Sequence, residues 1–357
     1  METRKVQVTG KSTYVVSLPK KWVNKVNVKN GDSITLFPLS NGTLLINPKI
    51  NDTVQSLTKE VLLIDQHGED QLFRMFVGAY LAGYDIIEFR SRDEMAIPMK
   101  QCIRKLSQRV IGVQVIEETK NAIVLKDMLD SSDYSMSKGV RRMQIITRDM
   151  HMEAIRSLTE SNPAIADDVV ARDDEVDKLF WMIEKQHHQV LRDVYFAEKL
   201  NVTPQEALGF LLVARSIERV ADHAVKLANN GRSVKPNHPL VPKLTETSKA
   251  VIDLFDDATN TFNKNNFDNA YDVINRSELL GVKIEKLKHD TLSLVDEQST
   301  TVAIAYIIES LDRTRLYSED IAETAINHHF AQNYSLEINR TLFQEEESRN
   351  IERKNSR

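Results

Sequence analysis

The chain has 357 residues, 41% hydrophobic and 28% charged, with a formal net charge of −5, which is long enough to bury more than one core. Its single cysteine, Cys102, excludes an intrachain disulfide and suits a reducing cytoplasm. The apolar runs, such as that at Gly209 to Ala214, are too short to span a bilayer, and the N-terminus lacks the apolar centre of a signal peptide.

The charge is uneven. Residues 1–50 hold eight Lys/Arg and two acids (Glu2, Asp32), a balance of +6 that leaves −11 for the remainder. A basic head on an acidic body is what a nucleic-acid contact confined to one end produces. Within the head, Val6, Val8, Tyr14 and Val16 alternate as strands around Gly10-Lys11-Ser12. Pro19 precedes a short predicted helix from Lys20 to Val26. Asn30-Gly31-Asp32 is a turn signal, and Ser33 to Pro38 and Thr43 to Asn47 form a predicted hairpin about Ser40-Asn41-Gly42. Fifty residues of this kind bury too little apolar surface to stand alone, so two copies are expected to share one core.

This head resembles the swapped-hairpin domain of the AbrB/SpoVT/MazE superfamily. The elements Val16-Ser-Leu-Pro19 and Gly31-Asp32 carry most of the likeness, with Val8, Gly10, Lys11, Trp22, Val26, Val28, Ile34, Ile46 and Pro48 alongside. The resemblance implies an obligate homodimer that presents basic residues to DNA. The candidates are Arg4, Lys5, Lys11, Lys20, Lys21 and Lys25, with Lys29 beside them. Lysines hold phosphates, whereas bidentate base reading favours Arg, Asn or Gln. Contact with the DNA backbone is therefore expected to dominate, with DNA shape adding sequence preference. Trp22 is expected in the shared core.

Residues 54–130 read as a second unit, βαβαββ. Strands are predicted at Val61 to Asp65, Tyr84 to Phe89, Val113 to Glu118 and Ala122 to Asp127, with helices at Asp70 to Ala82 and Met95 to Val110. It shows neither a Gly-rich phosphate loop nor a nucleophile–base pair, so it reads as an adaptor and the chain is not expected to be an enzyme.

From Ser135 onward the pattern is helical. Pro163, Asn201 to Pro204, Asn230 to Pro242 and Asn263 to Asn266 cut it into six predicted helices, about 136–160, 164–196, 204–229, 242–263, 267–295 and 300–331. The polar tail 333–357 is expected to fray. The third and sixth helices repeat: SIERVADHAVKLA (216–228) returns as SLDRTRLYSEDIA (310–322), and Ala171-Arg172-Asp-Asp aligns more weakly with Asn275-Arg276-Ser-Glu. Two copies of a three-helix unit follow. The fold class is thus multidomain α+β: a swapped-hairpin domain (1–50), a small α/β sandwich (54–130), two three-helix repeats (135–235 and 238–332) and the tail.

Glu218 and Asp222 lie one helical turn apart on one face, and like charges so placed repel by about 0.2–0.5 kcal/mol when exposed. Arg215 or a cation has to compensate. In the sixth helix Glu309, Asp312, Glu319 and Glu323 share a face with Leu316 in its middle. Such oxygen-only sets suit hard divalent ions, and iron carboxylate clusters also occur. An acidic, solvated face paired with arginines gives the same pattern. Asp173, Asp174 and Asp177 either add ligands or form an acidic N-terminal turn. Glu184-x-x-His187 is half of a di-iron motif without its second half.

The segment Ser-Ile-Glu218-Arg-Val-Ala-Asp222-His223-Ala, together with the repeat, resembles the PhoU family of phosphate-signalling proteins, built from two tandem three-helix bundles. The resemblance implies divalent or iron-type metal ions at Glu218, Asp222 and Asp312, with phosphate bridging. Leu316 stands where the first copy has Asp222, and Arg315 where it has Ala221. Both regions together resemble archaeal PhoU-like regulators with an AbrB-type head. The expected function is cytoplasmic transcriptional regulation of phosphate uptake, acting on DNA and on phosphate or phosphate-transport proteins without membrane insertion. The alternative is an adaptor that dimerises through its head and binds a transporter or kinase.

Overall fold

In the head, β1 (Gln7–Thr9) and β2 (Thr13–Val15) pair antiparallel with Val8 opposite Tyr14. Pro19 sets an extended lead-in to α1 (Lys20–Val26), which stops where Asn27 turns left-handed at φ 56°. The Asp32 carboxylate accepts the Lys29 N–H at 2.7 Å and ties the Asn30-Gly31 turn. β3 (Thr35–Pro38) and β4 (Leu44–Asn47) then pair antiparallel. Each element lies within two residues of its predicted place. The computed structural model describes residues 2–10, 12–39, 42–48, 58–62, 68–292 and 297–355. Lys11, Ser40 and Asn41, named above in the predicted loops, lie outside them.

None of the described residues from 2 to 48 is buried. Val8, Tyr14 and Leu36 are each more than half exposed. The head of a single chain has strands but no core. The chain divides into two compact units, residues 1–55 with 335–357, and residues 56–334.

The second unit opens with β5 (Thr58–Leu62), α2 (Glu69–Leu81), β6 (Ile86–Arg90), α3 (Ile97–Leu106), β7 (Val113–Glu118) and β8 (Ala122–Asp127). This is the predicted βαβαββ order. The first strand sits earlier than expected, and residues 63–65 of the prediction are outside the described residues. The sheet order is β5-β6-β8-β7, with β5 parallel to β6 and the other pairs antiparallel. Its core is Leu72, Phe76, Tyr80, Phe89, Ile103, Ile123 and Leu125.

A single 3₁₀ turn (Ser131–Asp133) leads into α4 (Met136–Thr159), α5 (Pro163–Arg192), α6 (Val194–Leu200), α7 (Pro204–Gly231), α8 (Val241–Asn263), α9 (Phe267–Leu292) and α10 (Gln298–Asn355). The starts have local causes. Asn162 caps α5 with Pro163 in its first turn, and Thr203 and Glu206 close a reciprocal capping box on α7. Two predictions differ. The second helix was expected to reach 196, but Asp193 leaves helical geometry and caps α6 through the Tyr195 N–H at 2.9 Å. The tail expected to fray is helix through Asn355, and its residues 335–355 are rich in Glu and Arg, which favour helix.

One continuous apolar core runs from Met136 on α4 to Ala325 on α10, so the two repeats share it. α4 is central, packing on α5, α7 and α8. The α/β sandwich docks on α5. Trp181 touches both cores, and Lys185 makes an ion pair with Asp127 in which both side chains are almost wholly buried. Lys185 Nζ also lies 4.8 Å from the Tyr80 ring centre.

Candidate functional sites

In the head, α1 places Lys20 and Lys21 in its first turn and Lys25 in its last, all exposed. Lys5 is exposed beside β1. Arg4 donates to Glu2 at 2.6 Å, so half of its fork is engaged within the segment. Trp22 is half-buried in the single chain.

In the helical body, α5 and α7 pack together. Position 215 meets 180 and 184 and Asp173 and Asp177 lie near Glu218 and Asp222, so the two helices run antiparallel. Burial, then Asp177, Asp222 and Glu218, lift Asp173 to about 7. Burial and Asp222 lift Asp177 to about 6. Burial and Asp222 lift Glu218 to about 7, and burial raises Asp222. The shifts share one cause, burial, to which the neighbouring carboxylates add at Asp173, Asp177 and Glu218. The expected compensation by Arg215 is incomplete. Its guanidinium lies 3.6 Å from Glu184 and 4.1 Å above the Phe180 ring, and it lowers Glu218 and Asp177 only in part. Among the described residues, no three His, Cys, Asp or Glu side chains already converge on a metal position.

Asp173 and Asp177 lie in the third and fourth turns of α5, since the helix starts at Pro163. They are not the acidic N-terminal turn that was one of their two predicted roles. The alternative role, joining Glu218 and Asp222, depends on which helix faces α5, and spacing within one helix does not carry that information. The α/β sandwich reaches the rim of this cluster: Arg109 Nη1 donates to Asp174 at 2.9 Å and lowers Asp177.

The other metal candidates have cationic partners. Glu309 accepts from Arg313 at 2.9 Å. Asp312 accepts from Arg315 Nε at 2.9 Å and from Lys288 at 3.1 Å. Glu319 accepts from Ser277 Oγ at 2.6 Å and from Arg315 Nη1 at 3.3 Å. Glu184 faces Arg215, and His187 is lowered by burial with its Nδ1 unpartnered. His223 packs 5.9 Å from the Tyr317 ring, and burial lowers it to about 4. His328 is buried inside α10.

The model of the PhoU domain matches residues 140–230, which contain the whole α5–α7 cluster. A second model, described as antidote-toxin recognition MazE, bacterial antitoxin, matches residues 7–53. Among solved structures, the phosphate transport system regulatory protein PhoU from Streptococcus pneumoniae is similar at 16% identity and TM-score 0.46, covering 54% of this chain and 92% of that one. PhoU from Pseudomonas aeruginosa is similar at 15% identity and TM-score 0.43, covering 54% and 94%. No curated protein matches the chain. Among the described residues, no helix is long and apolar enough to cross a membrane.

Proposed function

We propose that this protein is a homodimeric, DNA-binding regulator of phosphate uptake or metabolism, acting in the cytoplasm, whose PhoU domain is its sensor. The observation that carries the reading is the pairing, on one chain, of a basic head without a core and a region similar to a PhoU domain that gathers four carboxylates from two helices. Exposed Val8, Tyr14 and Leu36 in the head favour a shared dimeric core. Its lysines favour phosphate contact.

Asp173, Asp177, Glu218 and Asp222 are the residues we assign to a metal ion. Oxygen donors of this kind fit a hard divalent ion or iron, and burial and their mutual repulsion, which raise their pKa values, are what a bound cation would offset. The side chains have to rotate inward to converge, which half-exposed carboxylates can do. A bound ion supplies charge neutralisation and an anchor for an anion such as phosphate. These side chains orient it, and Arg109 and Arg215 tune the field at the rim.

The test is fluorescence anisotropy of the full-length protein on labelled promoter duplex across a salt series, beside a version lacking residues 1–50. Tight, competitor-resistant binding that disappears on truncation supports the regulator. Binding no better than to random duplex overturns it in favour of an adaptor that dimerises through its head and acts on a transporter or kinase.

A further inference from the structure

The two repeats can be placed in register by their own ion pairs. Arg172 on α5 pairs with Glu153 on α4 and with Asp168 one turn back. Arg276 on α9 pairs with Asp257 on α8 at 2.7 Å and with Asp272 one turn back at 3.3 Å. The spacings are identical, so the first two helices of the repeats correspond at an offset of 104 residues. The third helices correspond at 94. The difference of ten falls between α5 and α7, where the first repeat holds the extra helix α6.

In this register Asp173, Asp177, Glu218 and Asp222 become Ser277, Gly281, Asp312 and Leu316. One carboxylate of four remains. Where the first repeat has the fully buried Ala221, the second has Arg315, with a side chain only 12% exposed. Its guanidinium fills the space the missing groups leave. Nε donates to Asp312 Oδ1 at 2.9 Å, and Nη1 donates to Ser277 Oγ at 2.9 Å and to Glu319 Oε2 at 3.3 Å. A Cβ at Gly281 would lie 3.3 Å from the guanidinium carbon, so the glycine gives the guanidinium its close seat against α9. Lys288 neutralises the other Asp312 oxygen at 3.1 Å.

We propose that Arg315 is a built-in cation that stands in the second repeat where the first repeat takes a metal ion, so that the chain binds metal through one repeat only. Two cations already balance Asp312 and Glu319. An incoming divalent ion would meet like charge at short range in a partly buried setting. It would also have to expel a guanidinium whose hydrogen bonds are made. The single-site clause rests on the metal reading above, whereas the role of Arg315 does not.

Two measurements test this and separate its failure from that of the metal reading. The first is Mn²⁺ stoichiometry by elemental analysis and titration of the full chain, wild type beside Glu218→Gln/Asp222→Asn. The expected result is loss of at least nine-tenths of the bound Mn²⁺ in the double variant. Retention of about half, as for two equivalent sites, overturns the single-site clause. If the wild type binds no Mn²⁺, the metal reading falls and the single-site clause with it. The second is thermal unfolding in chelator, which decides the role of Arg315 whatever the first shows. Arg315→Gln should melt several degrees below wild type at pH 8, and Arg315→Lys should recover most of the loss. If Arg315→Gln does not fold, recovery in Arg315→Lys alone decides. Equal damage in the Lys and Gln variants, or no damage in either, overturns the built-in cation.

Discussion

Removing a charge from the α5–α7 cluster should stabilise the metal-free protein, in a pH-dependent way. Glu218→Gln is the cleanest perturbation, because the amide keeps the shape of the side chain. Glu218 is lifted from 4.5 to about 7. Between those values the folded protein holds a proton that the unfolded chain has released. Stability is therefore full below the unfolded value and falls as pH rises through about 7. At about 1.4 kcal/mol per pH unit the full cost above pH 7 is at most about 3 kcal/mol. The group is only half-buried, and solvent screening reduces this to about 1 kcal/mol. For a body of this size that is a rise in melting temperature of roughly 2–4 °C. The assay is thermal unfolding in chelator at pH 8 and pH 5. Glu218→Gln should melt above wild type at pH 8 and level with it at pH 5. With saturating divalent ion at pH 8 the order should invert, because wild type gains the ion and the variant loses a ligand. A variant less stable than wild type in chelator at pH 8, or a gap of equal size at both pH values, would refute the reasoning.

Three further outcomes can be checked directly. A dimer that neutralises about six to eight phosphates should show log affinity for DNA falling against log salt with a slope of about −5 to −7, and Lys20→Ala/Lys21→Ala should shallow that slope in an anisotropy series. Lys185→Met strands buried Asp127 and should cost about 3–5 kcal/mol in denaturant unfolding, most of it recovered by adding Asp127→Leu. At Gly209, a Cβ would sit 2.6 Å from Nδ1 of the buried His328 ring. Gly209→Ala should therefore lower stability by about 1–3 kcal/mol in the same assay, and an unchanged midpoint would mean that the α7–α10 contact is looser than described.

Much of this architecture is legible in the sequence because it is set by local chemistry. Pro163, Pro204 and the Asn-rich breaks place helix starts within a residue or two, and the hairpin 113–127 follows from alternation alone. The end of α5 is not legible, since Asp193 sits in a stretch with no Gly or Pro to mark a break. Nor is the shared core: periodicity says that Val140, Ile217 and Phe255 are buried, but not that α4 packs on α8 and joins the repeats. The candidate site divides in the same way. Glu218 and Asp222 are visible because one helix brings them together. Asp173 and Asp177 need the antiparallel packing of α5 on α7, which is a tertiary fact, and in sequence they also fit a plain acidic turn.

The two repeats give an internal control on what the cluster is for. Both keep the pair that braces their first two helices, Arg172 with Glu153 and Arg276 with Asp257. That contact is partly solvated and adds little cost in either copy. The central charges are treated in opposite ways. The second repeat reduces four carboxylates to one and supplies Arg315, and the result is a closed set in which Asp312, Glu319 and Ser277 all have partners. The first repeat instead keeps Asp173, Asp177, Glu218 and Asp222 in partial burial with raised pKa values, at a cost in metal-free stability. A cost that a single arginine removes elsewhere in the same chain is best explained by a ligand that offsets it when bound. For these four oxygen donors, the metal ion proposed above would be such a ligand.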